Sequence, residues 1–269
     1  MEHALNILII YAHPEPKSLN GSLKDFAVDH LVSRGHTVRV SDLYAMGWKA
    51  VLDADDFPAL DNNKRLSIGQ ASGKAYATGT QTPDVEGQQA DLLWADAVIF
   101  QFPLWWFSMP AILKGWVDRV YAFGFGYGVG EHSETHWGDR YGEGILQGKR
   151  AMLVVTMGGW ESHYSERGVN GPIQDLLFPI NHGILHYPGF DVMQPFLLYK
   201  VHSMDEESFS HNCEELGKRL DNLWTDQPIA YRKQNGGDYE IPALTLKPGL
   251  EKQGLDCDLK SGFRLHQMP

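Results

Sequence analysis

The feature that most constrains this chain is a regular alternation of short, continuous apolar runs with stretches of helical spacing. Residues 6–12 (NILIIYA) are such a run. Apolar residues without polar alternation suit a strand buried on both faces, as in a parallel sheet. Residues 20–33 then carry Leu23, Phe26, Ala27 and Leu31 at helical spacing, with Gly35 as a stop signal. Residues 36–40, 97–102, 151–156 and 190–197 read as further strands. Residues 83–94, 110–121, 172–185 and 205–224 read as helices, with Pro83 suited to a first turn. Strand following helix in this way predicts an α/β fold, a doubly wound five-stranded parallel sheet with helices on both faces. Residues 52–82 and the Gly-, Pro- and charge-rich tail stand outside the alternation and are expected to be surface excursions or dimer arms. That divides the chain into a domain over 1–224 and a C-terminal extension over 225–269, packing on the domain or on a dimer partner.

Several function classes are disfavoured by composition. A net charge of −11 opposes binding to nucleic-acid phosphates or an anionic membrane surface. Cys213 and Cys257 form no CxxC, which argues against a zinc ribbon or a dithiol redox pair. The apolar stretch 97–117 is interrupted by Gln101, Pro103, Pro110 and Lys114, so no membrane insertion is expected. The N-terminus lacks a signal-peptide pattern, and the expected location is cytoplasmic.

In an open α/β sheet, ligands bind in the loops at the carboxyl ends of the strands. The first such loop, AHPEPKSLN, ends in Ser18 and Asn20, either of which can cap the following helix and leave its N–H groups free for a phosphate. A plain N-cap explains the same residues, and no GxGxxG is present. The second loop, Phe102-Pro103-Leu104-Trp105-Trp106-Phe107, is crowded with aromatic rings between Pro103 and Pro110. Such rings need core neighbours or a planar ligand such as a flavin, whose edge the loop's backbone N–H groups could meet. In the third loop, Thr156-Met157-Gly158-Gly159, the glycines allow close backbone approach. Tyr164 beyond them offers a hydroxyl that could stabilise negative charge.

These loops, in this order, resemble the NAD(P)H:quinone oxidoreductase family of FAD-containing, flavodoxin-like enzymes. The likeness runs through AHPEPKSLN, SDLYAMGW (41–48), FQFPLWWFSMPAILKGWVDRV (100–120), TMGG with Tyr164, and HGILHYPGF (182–190), spanning about residues 5–230. It implies flavin contacts at His13, Ser18, Leu19, Asn20, Pro103, Leu104, Trp105, Trp106, Phe107, Thr156, Met157, Gly158, Gly159 and Tyr164. Catalytic roles fall to Tyr164, Gly158 and Gly159. It further implies a homodimer in which Tyr127 and Tyr187 of one chain close the acceptor pocket of the other, next to Asn170. The chemistry implied is ping-pong: NAD(P)H gives hydride to flavin N5, and a quinone or other small aromatic acceptor then takes two electrons. FAD, rather than FMN, is the implied flavin.

The chain departs from the family pattern in places. A family histidine six residues after the tyrosine is Asn170 here, and an amide cannot relay a proton. His182 and His186 match a helical metal-binding pair, but the partner cysteine position is Tyr231, so no metal is expected. His132 and His136 have chelate spacing beside Glu131 and Glu134 and read as solvated charge. The family arginine near the start of the last helix has no counterpart in 204–211. Alternative readings are a regulatory flavoprotein subunit of a membrane transport system, and a one-electron flavodoxin-type carrier.

Overall fold

The computed structural model describes residues 4–61, 63, 65–250 and 266–268; Cys257 lies outside them. Strands β1 (Asn6–Tyr11), β2 (Thr37–Asp42), β3 (Ala97–Pro103) and β4 (Arg150–Thr156) are joined by helices α1 (Leu19–Ser33), α2 (Ile68–Thr78), α3 (Pro83–Trp94) and α4 (Ala111–Val120). Then come α5 (Ile173–Ile180), β5 (Asp191–Val192), β6 (Phe196–Leu198) and α6 (Glu206–Asp221). All pairings in the main sheet are parallel, in the order β2-β1-β3-β4-β5. The pleat sends alternate residues of β1 to opposite faces. Leu8 and Ile10 join Val98, Phe100, Trp116 and Leu177 in one core cluster, while Ile7 and Ile9 join Leu23, Leu31 and Leu216 in the other. β3 is buried along its whole length, which is why its sequence is apolar except at Gln101, whose amide is hydrogen-bonded to the Asn20 carbonyl.

The five-stranded parallel sheet flanked by helices is the one expected, and three details differ from the sequence reading. The fifth strand comes in two pieces: β5 pairs with the start of β4 and β6 with its end. Residues 52–82 are not merely an excursion, for they contain α2. The helix expected to run to 185 stops at Ile180 and continues as a π-turn over Asn181–His186. Pro179 lacks the N–H that would have bonded back one turn, and the register widens directly after it.

Segment 49–57 is clamped to α4. Arg119, with its side chain 2% exposed, donates from Nε to Asp56 Oδ1 (2.7 Å), from Nη2 to Asp84 Oδ2 (2.8 Å) and from Nη1 to the Lys49 carbonyl (3.0 Å). Gly115 lets the Ala50 carbonyl lie where a side chain would otherwise stand: a Cβ there would be 2.0 Å from the Ala50 oxygen.

After α6 the chain returns to the sheet, where the Ile229 N–H donates to the Val192 carbonyl at 2.7 Å. A hairpin of β7 (Tyr239–Glu240) and β8 (Thr245–Leu246) follows. The described end of the chain lies back beside residue 230, with Arg232 N–H on the His266 carbonyl (3.0 Å) and Met268 N–H on the Ala230 carbonyl (2.7 Å). This return gathers His182, His186 and His266. Burial, together with the neighbouring His186 and His266, pushes the His182 imidazole down to about 3. Burial lowers His186 and His266 as well.

The sign of the resulting pH dependence follows from linkage. Unfolded histidines take up protons near pH 6.5 that these native sites refuse. Their contribution to stability is whole above that pH and is lost as the pH falls toward 3. Between pH 6 and 4, His182 alone should contribute about 1.4 kcal/mol of lost stability per pH unit. Urea unfolding of the parent should therefore show a steeper acid slope than a His182→Leu variant, by about one proton. Equal slopes would contradict this account.

Candidate functional site

Three strand-end loops converge on one another. Ser18 caps α1, its Oγ accepting from the Gly21 N–H at 3.1 Å, while the Leu19 and Asn20 N–H groups donate to no described group. Asn20 is not a cap; it is buried and ties the first loop to the third. Its Nδ2 donates to Thr156 Oγ1 (2.8 Å), and its carbonyl accepts from Gln101 Nε2 (2.6 Å). Thr156 in turn accepts the Leu104 N–H on its carbonyl at 2.8 Å, tying the second loop to the third. His13 stands 6.1 Å, ring to ring, from Trp105.

The aromatic loop is a tight turn. Trp105 and Ser108 exchange both backbone hydrogen bonds at 3.0 Å, which leaves Trp106 and Phe107 as the two central residues. Both have positive φ, 50° and 62°. A two-residue hairpin turn of this hand normally carries Asn-Gly, and a bulky residue there is held against its preference. The result is exposure: Trp105 is 41%, Trp106 94% and Phe107 46% exposed. The N–H groups of Leu104 and Trp105 are already used within the protein, so only Trp106 and Phe107 keep theirs free to meet a ligand edge.

In the third loop, Thr156 and Met157 are buried, and the Met157 N–H is taken by the Leu198 carbonyl. Met157 therefore offers its side chain to the core. Gly158 and Gly159 keep free N–H groups. A Cβ on Gly159 would stand 2.9 Å from the Tyr164 ring, and one on Gly158 would stand 2.9 Å from His202. Tyr164 is half-buried, with Tyr199 5.9 Å away, ring to ring. Asn170 closes its loop by donating its N–H to the His163 carbonyl at 3.0 Å.

Other sequence candidates lie elsewhere in the chain. Tyr127 packs edge-on against Phe123, and Tyr187 packs against Tyr141. Among the described residues, no hydrogen bond or ring contact joins either tyrosine to the 102–107 loop. His132 packs edge-on against Trp137, whereas His136 pairs with Asp139 and lies close to Glu143, so the two histidines do not form the i, i+4 chelate. Sequence reasoning missed His202 and Lys200. Lys200 has φ 54°, donates its N–H to the Gly159 carbonyl (3.0 Å) and sets its ammonium 4.0 Å over the Trp160 ring. The available signal was position: Lys200 and His202 follow β6 at its carboxyl end, where ligands of an open α/β sheet bind.

The site fits a flavin. It presents exposed rings for stacking, free N–H groups at 19–20, 106–107 and 158–159, and glycines that leave room for close approach. Asn20 Oδ1 and Gln101 Oε1 are buried acceptors without a partner, an arrangement proteins seldom leave unanswered.

A family model described as flavodoxin-like fold matches residues 5–220. The ribosyldihydronicotinamide dehydrogenase-like protein traD of Penicillium crustosum is 58% identical over 262 residues, covering 97% of this chain and 95% of its own length. Human ribosyldihydronicotinamide dehydrogenase [quinone] is 42% identical over 224 residues, covering 83% of this chain and 94% of its own. A Klebsiella pneumoniae structure described as a quinone reductase superposes with a TM-score of 0.93 at 57% identity, over 98% of this chain and 100% of its own. Among the described residues no helix is long and apolar enough to cross a membrane. The strand order, the convergent loops and this likeness along nearly the whole chain lead to one conclusion: the chain belongs to the NAD(P)H:quinone oxidoreductase family of flavodoxin-like oxidoreductases.

Proposed function

We propose that this protein is an FAD-dependent reductase that passes two electrons from a dihydronicotinamide to a quinone or similar planar acceptor. The observation that carries this reading is the aromatic turn: Trp105, Trp106 and Phe107 are held out at a strand end in a conformation their side chains disfavour. Hydrophobic exposure together with backbone strain is characteristic of ligand sites. A bound flavin would supply the two-electron hydride chemistry that links donor and acceptor.

The residues divide the work by position. Ser18, Leu19 and Asn20 receive phosphate at the start of α1. The turn supports one face of the ring system, with His13 and Pro103 beside it. The free N–H groups of Gly158 and Gly159, with the Tyr164 hydroxyl, stabilise negative charge where it develops. Asn170 stands in for a proton relay and holds the acceptor by hydrogen bonding alone. Tyr127 and Tyr187, which make no hydrogen bond or ring contact with the turn among the described residues, fit a homodimer in which each protomer closes its partner's pocket. Relatives matched over nearly their whole length carry enzyme names, which favours catalysis over an ancillary role in a transport system.

Because these relatives are named for the riboside, ribosyl-dihydronicotinamide belongs beside NADH and NADPH as a candidate donor. Anaerobic addition of each donor to the purified protein should bleach the flavin absorbance within seconds for at least one of them, and menadione should restore it. A flavin that no donor reduces would refute the proposal. Release of the cofactor by heat, followed by chromatography, should identify FAD.

A further inference from the structure

Away from the strand-end loops, the π-turn and the returning tail enclose a cavity of about 370 Å³, a volume suited to a small ligand. None of the strand-end loop residues lines it.

His182 is 9% exposed and lines the cavity, yet it makes no hydrogen bond to any described residue. Its ring is held between Tyr141 and Phe178, each at 4.6 Å and nearly parallel to it. Arg140, half-buried on the same wall, donates from Nε to Gln234 Oε1 (2.6 Å) and from Nη1 to the Tyr187 hydroxyl (3.4 Å). It has no carboxylate partner among the described residues, whereas the neighbouring Arg232 is matched by Asp238. The cavity therefore presents one uncompensated guanidinium, one unpartnered imidazole and walls of aromatic rings.

A metal ion suits these donors poorly. Among the described residues, His182, His186 and His266 do not bring their ring nitrogens close enough together to share one ion, and Tyr231 beside the first two is a phenol that burial pushes up to about 12 and so keeps protonated. The combination of a planar cation, a neutral hydrogen-bonding ring and apolar walls instead matches a flat molecule with one anionic end.

We propose that this cavity binds a small planar organic acid, its carboxylate on Arg140 and His182 and its ring among Phe178, Tyr239 and Leu244. The proposal is independent of the flavin reading.

Isothermal titration of the full-length protein, as purified, tests it with 2-naphthoate as the probe. Its neutral isostere 2-naphthamide and inorganic phosphate serve as comparisons. Naphthoate should bind once per chain with Kd below about 1 mM, and the other two at least about tenfold more weakly. Arg140→Gln should weaken naphthoate at least about tenfold. Leu244→Trp, which keeps the charge and fills the space, should abolish binding and carries the test should Arg140→Gln fail to fold. Absence of naphthoate binding, equal binding of the amide, or binding that survives both variants would overturn the proposal. So would binding that shifts the flavin spectrum and ignores both variants, since it would place the acid at the strand-end loops.

Discussion

A Gly21→Ala variant is expected to purify with less than about a tenth of the parent's flavin, because a misplacement of about 1 Å in a positioning loop is worth up to a hundredfold. The new methyl would stand 1.9 Å from the Pro16 carbonyl oxygen and 2.7 Å from its carbon. Both atoms are backbone, so no side chain can rotate away; the 12–20 loop must move as a unit. That loop carries His13, the Ser18 cap and the free N–H groups of Leu19 and Asn20, which we assign to the phosphate. Helix α1 itself should survive, since alanine is the better helix former, and the folding cost should lie near 1–3 kcal/mol. The ratio of visible to ultraviolet absorbance, with a flavin titration of the apoprotein, reads the result. Parent-like flavin content and affinity would remove the first loop from the site.

The second large effect concerns stability rather than chemistry. Arg119→Leu should cost roughly 3–5 kcal/mol, the loss typical when one member of a buried ion pair is removed. Asp56 would keep Lys49 Nζ at 3.3 Å and the Asp53 N–H at 2.8 Å, but it would lose the guanidinium that is buried with it. Asp84 and the Lys49 carbonyl would lose partners as well. For a chain of this size the midpoint of thermal unfolding should fall by roughly 10 °C. Adding Asp56→Asn should recover part of the loss, because the stranded charge is then gone. An additive double variant would show that the pair is not coupled.

How legible the molecule was depends on what each residue does. The strands could be read because β1, β3 and β4 are buried on both faces and are apolar along most of their length. Helix α2 could not, since its buried residues are Ser72 and Ala75 and it leaves no apolar stripe. The convergence of the three loops was inferable from strand ends alone. The link that joins them, Asn20 to Thr156, spans 136 positions and required coordinates. Asn20 had been read as a possible cap because capping residues and buried bridging amides share one composition. The cavity beside the π-turn was illegible for a similar reason: Arg140, His182, Gln234 and His266 come from distant segments. The return of the tail brings them together.

The turn at Trp106 and Phe107 bears on how this protein responds to selection. Each residue sits where an L side chain costs about 1–2 kcal/mol relative to the right-handed region. A library screened for thermal resistance alone would therefore enrich Asn-Gly at 106–107, trading the aromatic shelf for a relaxed backbone. The most heat-tolerant descendants would be colourless. Engineering for durability should hold these two positions fixed and seek its gains elsewhere.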